Sequence, residues 1–103
     1  MPEPEVKFPE INRVIHEPAR LAILTVLSAC RSADFQFLQS ATGLSKGNLS
    51  VQLTRLQDAG LARVRKEIVD KKMHTTASLS PQGSKALAAY WRMMEQMRKA
   101  FAI

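Results

Sequence analysis

The stretch LSKGNLSVQLTRLQDAG, residues 44 to 60, leaves a chain of this kind few ways to fold. Leu49, Leu53 and Leu56 recur at the spacing of the buried side of a helix. Ser45 is a residue type that caps a helix start and Gly60 one that ends it. With Leu49 at zero on a helical wheel, the other two leucines fall within about 40° of it. Gly47, Asn48, Val51, Thr54, Arg55 and Asp58 then spread over about 140° to 260°. Most of these are small or hydrogen-bonding, where an ordinary solvated helix would carry Lys and Glu. That surface is shaped for a partner.

The flanking segments supply its setting. In ADFQFLQSATG, Asp34 is placed to cap a short helix, Phe35 and Leu38 face inward with Ala41 nearby, and Gly43 follows the last turn. Two helices thus bracket a turn of about four residues, the helix-turn-helix pattern, over about residues 34 to 59. Upstream, PARLAILTVLSAC opens with Pro18 in a favoured first-turn position and is apolar on most sides through Leu21, Ile23, Leu24, Val26 and Leu27. It predicts the central core helix, running to about Cys30. Before it, Ile11, Val14 and Ile15 predict a short helix within the N-terminal arm, with Pro9 in its early turn.

From Leu61 the period changes. LARVRKEIV and MHTTASLS alternate roughly and are joined by the polar DKK, which reads as a hairpin over about residues 61 to 79. Ser80 as cap and Pro81 in the first turn then start a helix that meets no breaker to about residue 101. Three helices, a hairpin and a long helix, in that order, make a winged helix-turn-helix. The fold class is mainly α with a small two-stranded β wing, one domain over residues 1 to 103, with an arm and short helix over about 1 to 17.

Composition narrows the partner. At 103 residues and 46% apolar content the chain supports one core. Cys30 is the lone cysteine and reads as a small buried hydrophobe, and with His16 and His74 it forms no metal-ligand spacing. No run approaches the roughly 20 apolar residues of a membrane span, and the acidic, Pro-rich start differs from a signal peptide, so the expected setting is cytoplasmic and away from membranes. The net charge is +6, and the basic excess lies after residue 60, since residues 1 to 17 carry four acidic side chains against two basic ones. Such a balance favours a polyanion.

Double-stranded DNA is the polyanion that fits. A helix entering the major groove brings its backbone close to base edges, which suits Gly47 and short polar groups. Asn48 can pair with adenine, Arg55 with guanine, and Val51 can meet a thymine methyl, with Thr54 on the same face. Ser45 and Lys46 stand at the helix N-terminus, where backbone N–H groups and an ammonium hold a phosphate. In the hairpin, Lys71, Lys72, His74 and Thr75, at the tip and its return, are the expected contacts, although lysines also guard exposed sheet edges against aggregation.

These segments resemble the small winged-helix transcriptional regulators close to the MarR and ArsR groups. The resemblance rests on PARLAIL, GNLSVQLTRLQDAG, Lys66 leading into the wing, HTT on the return strand and LSPQGSKAL before the final helix, and covers roughly residues 11 to 95. It implies a DNA-binding homodimer in which Asn48, Ser50 and the wing face the duplex. Three residues depart from the family pattern: Asp70 where a turn glycine is common, Met73 where a proline is common and Ala77 where an aromatic is common. They bear on the wing tip.

The last helix carries Leu87, Tyr90, Met94, Met97 and Phe101 at a heptad-like spacing, and Trp91 widens the apolar surface. Together with Phe8, Ile11, Val14 and Ile15 from the arm, this predicts a twofold interface of end helices and a pseudo-palindromic operator. No nucleophile, base and orienting group stand at a known motif spacing, so catalysis is not expected, nor is a cofactor or metal. Two alternatives stay open. One is a protein-interaction module on the same fold; the other is a MarR-like sensor with a small-molecule effector between the dimer helices, which the sequence does not indicate.

Overall fold

A computed structural model describes residues 9–101. Its elements are α1 (Pro18–Ser28), β1 (Ala33–Asp34), α2 (Phe35–Thr42), α3 (Lys46–Asp58), β2 (Ala62–Val69), β3 (Lys72–Leu79) and α4 (Pro81–Ala100). The strands form one antiparallel sheet in the order β1-β3-β2. This is a winged helix, with α2 and α3 as the helix-turn-helix and β2–β3 as the wing.

Local chemistry sets the boundaries. Asp34, Ser45 and Ser80 cap α2, α3 and α4 by accepting from the backbone N–H three residues on. Glu17 does the same for α1, a role the sequence did not suggest. Gly43 ends α2 with φ 72° and Gly60 follows α3 with φ 78°, in the left-handed region where a side chain is strained. Residues 13–15 form a turn instead of the short helix expected there. The Asn12 side chain accepts from the N–H groups of Val14 and Ile15, so the local hydrogen bonds close a single turn, and Pro18 starts a separate helix.

The core is one cluster. Ile23, Leu24 and Leu27 of α1 meet Leu38 of α2, Leu49, Leu53 and Leu56 of α3, Leu61, and Leu87 and Tyr90 of α4. Each fully buried leucine or isoleucine contributes on the order of 1.5 to 3 kcal/mol. As expected, α1 is central, packing against α2, α3, α4 and β3. Two inward assignments are corrected: Ala41 is exposed, because α2 turns only its Leu38 side fully to the core, and Cys30 is half-buried just beyond the end of α1.

The wing springs from a tight junction. The Leu61 backbone donates to Leu56 and its carbonyl accepts from the Ser80 N–H. The Ser80 hydroxyl donates to the Gly60 carbonyl at 2.6 Å while accepting from the Gly83 N–H at 2.8 Å. The end of α3 is thereby tied to the start of α4. Opposite the junction, Asp70 and Lys71 close the hairpin with φ of 51° and 64°. A two-residue turn with both central residues at positive φ matches the twist of the strands, and Asp tolerates that conformation better than most residues. The departure at position 70 therefore leaves the hairpin intact. Ala77 lies in the central strand, paired with Ala33 on one side and Val64 on the other, and is 2% exposed.

Gly83 packs against this junction so closely that an added Cβ would overlap the Leu61 carbonyl oxygen. Gly83→Ala is expected to lower stability by more than ~2 kcal/mol in chemical denaturation. A second expectation concerns Glu17, whose carboxyl is held below its usual 4.5 chiefly by accepting the Arg20 backbone N–H, with the charges of Arg20 and Arg55 assisting and desolvation opposing. A depressed folded-state pKa gives stability that is present above the unfolded value and lost as pH falls through the folded one. Glu17→Ala should cost on the order of 0.5 kcal/mol near neutrality. That deficit should shrink as pH falls below 4.5 in paired urea titrations.

Candidate nucleic-acid interface

With Leu49, Leu53 and Leu56 turned inward, the outward side of α3 comprises Gly47, Asn48, Ser50, Val51, Thr54, Arg55 and Asp58, all exposed. Val51 is 49% exposed, one of the large apolar side chains left on the surface. Ser45 and Lys46 are exposed at the helix start, where the Ser45 hydroxyl already accepts from the Asn48 N–H at 3.1 Å. Thr54 donates its hydroxyl to the Ser50 carbonyl at 3.1 Å.

The two flanks of this face differ. On one side Lys46, Ser50, Thr54 and Gln57 look across an open cleft of about 510 Å³ to Lys66, Met73 and Thr75 of the wing, with Gln36 and Gln39 of α2 along its edge. No acidic residue lines the cleft, and two lysines do. On the other side the helix meets α1. There the Arg20 guanidinium, its side chain 13% exposed, donates to the Gln52 carbonyl oxygen Oε1 at 2.9 Å, and the Gln52 amide donates to Asn48 Oδ1 at 3.0 Å.

Strand alternation divides the expected wing contacts. The register pairs Lys66 with Thr75 and Ile68 with Met73 on the face shared with the cleft, so Thr75 points the same way as the Lys66 side chain. Glu67 pairs with His74 and Val69 with Lys72, which puts Lys72 and His74 on the opposite face, and Lys71 is in the turn. Arg65, also on that far face, lies 3.5 Å from Glu67, which offsets part of its charge. Sequence reasoning passed over Lys66 and Met73 as cleft walls. Their parity with Thr75 across the hairpin was the available signal.

The expected dimer residues also divide. Ile15, Leu87 and Tyr90 are 0%, 4% and 3% exposed within the single chain, and such side chains have no surface left to bury against a second copy. The Tyr90 hydroxyl shares a 2.8 Å hydrogen bond with His16 Nδ1, which draws the N-terminal segment onto α4. Ile11, Val14 and Met94 are half-buried against the core and Met97 is half-buried. Trp91 and Phe101 are 46% and 40% exposed. Phe8 lies outside the described residues.

Among the described residues, no three His, Cys, Asp or Glu side chains cluster as a metal site, and no helix is long and apolar enough to cross a membrane.

Known proteins share this architecture. A family model described as a winged helix DNA-binding domain matches residues 19–97. An uncharacterized protein of Methanocaldococcus jannaschii is 23% identical over 87 residues, covering 84% of this chain and 95% of its own length. The structure of a transcriptional regulator homologue from Pyrococcus horikoshii superposes with a TM-score of 0.80 at 23% identity, covering 88% of this chain and 90% of that one. The transcriptional repressor CouR, solved bound to a 23-mer DNA duplex, superposes with a TM-score of 0.68 at 19% identity, covering 87% of this chain and 66% of its own. MarR-family transcriptional regulators are among the other structural neighbours. The chain belongs to the winged-helix DNA-binding domain family and has the fold of the MarR-family transcriptional regulators.

Proposed function

We propose that this protein is a sequence-specific regulator of transcription that binds double-stranded DNA as a homodimer on a pseudo-palindromic operator. The observation that carries the proposal is the cleft between α3 and the wing, which is lined by two lysines and by Ser, Thr and Gln side chains over an apolar floor that includes Leu53 and Val64, with no carboxylate among them. A duplex is negatively charged along both strands, so a carboxylate in the contact surface would oppose it, and lysines release counterions on binding. In this reading α3 enters the major groove, Val51, Thr54 and Arg55 meet base edges, and the wing grips the adjacent backbone. Ser45 and Lys46 hold a phosphate at the helix start and set the register. CouR, of the same fold, was solved on DNA.

The homodimer rests on the outer surface of α4. Trp91 and Phe101, with half-buried Met94 and Met97, leave an apolar stripe along a helix whose fully buried residues, Gly83, Leu87 and Tyr90, all lie in its first half. The equivalent stripe of a second copy, with Ile11 and Val14 beside it, would cover this surface. Two copies related by a twofold axis present their recognition helices to major grooves roughly 34 Å apart.

Two outcomes follow. Arg55→Ala should weaken operator binding by ~1 to 3 kcal/mol and relax the preference at one base position, whereas Lys72→Ala should weaken all duplexes alike and lower the salt slope by about one. Titrations on operator and scrambled duplexes at several salt concentrations separate the two; equal loss on every sequence for Arg55→Ala would make it a phosphate contact. Light scattering after size exclusion should report a dimer at micromolar concentration and a smaller mass for Trp91→Asp; a stable wild-type monomer would defeat the dimer.

A further inference from the structure

We propose that Arg20 and Gln52 form a hydrogen-bond relay of fixed direction that presents the Asn48 amide to DNA through its NH2 end, making Asn48 a reader of acceptor edges. The inference rests on the DNA-binding reading above.

The direction follows from what each group can donate or accept. A guanidinium has N–H donors and no acceptor. Arg20 is held in place by donating from Nε to the Val14 carbonyl at 2.6 Å and by Glu17, 3.8 Å away. Gln52 is 8% exposed and must turn Oε1 toward Arg20, which leaves Nε2 on its other side. Nε2 can only donate, so Asn48 must offer Oδ1 to it. The Asn48 NH2 is then the end turned away from the network, on an exposed residue at the edge of the outward face of α3.

A base meeting that end encounters two donors. In the major groove guanine presents two acceptors, N7 and O6, while adenine presents the acceptor N7 beside the donor N6. Asn48 therefore favours guanine at its position. The two-bond pairing with adenine expected from residue type needs Oδ1 to face the base, and here Oδ1 is engaged by Gln52. Arg20 and Gln52 touch no base in this scheme; they are positioning residues, and the sequence spacing of Arg20 and Gln52 conceals them because they lie on different helices.

Gln52→Glu tests the relay. A carboxylate accepts on both sides, so it keeps Arg20 and requires Asn48 to donate through Nδ2, which turns Oδ1 outward. Preference at one base pair should move from guanine toward adenine or cytosine, whose amino groups donate, with a change on the order of tenfold and other positions unaltered. Asn48→Asp is the companion variant: it preserves an acceptor for Gln52, presents only acceptors outward, and changes an exposed side chain, so the fold is not at issue. The experiment is selection of bound duplexes from a random library by wild type and both variants, read position by position. Loss of one guanine preference in Asn48→Asp, and its shift in a folded Gln52→Glu, support the relay. An unchanged preference, or a loss spread equally over all positions, overturns it while leaving the regulator reading intact. A wild-type protein that enriches no duplex overturns both.

Discussion

Burial of Leu49, Leu53 and Leu56 against α1 is the constraint from which the remaining structure follows. A helix with one apolar stripe has one orientation that hides it, and hiding it turns the opposite side outward. Ile23, Leu24 and Leu27 supply the receiving surface, all 1% exposed or less. The outward side is consequently dictated by the core, although none of its residues takes part in the core. Arg20 and Gln52 add a polar restraint on the α1 flank, with every hydrogen bond running outward from the guanidinium. A part-buried polar network in which no buried atom lacks a partner specifies one arrangement more sharply than an apolar contact, because a shifted helix would leave a donor or acceptor without its partner.

The wing depends on a different device. Gly60, Leu61, Ser80 and Gly83 join the end of α3 to the start of α4 through backbone hydrogen bonds and one hydroxyl, so the hairpin leaves the body in a set direction relative to α3. Once that direction is set, strand pleating decides which side chains face α3. Lys66, Met73 and Thr75 do, and Lys72 and His74 do not. Cationic groups thus lie on both faces and in the turn, which suits an element straddling a charged backbone better than one forming a pocket wall alone.

The elements legible in the sequence were those whose signals are local. Ser45, Asp34 and Ser80 announce helix starts through the hydroxyl or carboxylate that satisfies an orphan N–H, and Gly43 and Gly60 announce ends through a conformation other residues resist. The leucine period placed the outward face of α3 without any tertiary information. What escaped depends on contacts between distant segments. β1 is two residues long, too short to show alternation, and exists because Ala33 pairs with Ala77. Arg20 and Gln52 are 32 positions apart, and nothing local distinguishes a buried arginine from a solvated one. The expected N-terminal helix stops after a single turn because Glu17, the residue before Pro18, is extended with φ −151° and ψ 132°, and the dimer stripe was overdrawn because periodicity cannot tell whether Leu87 and Tyr90 meet their own core or another copy.

The most direct test of the central claim, that the side of α3 opposite its leucines and the adjoining wing form the duplex-binding surface, is amide chemical-shift mapping of the folded protein titrated with duplex DNA at low ionic strength. The account predicts perturbations concentrated on residues 45 to 55 and on the hairpin, fading as salt is added, with the interior of α1 quiet. Shifts confined to α4, or none at all, would contradict it.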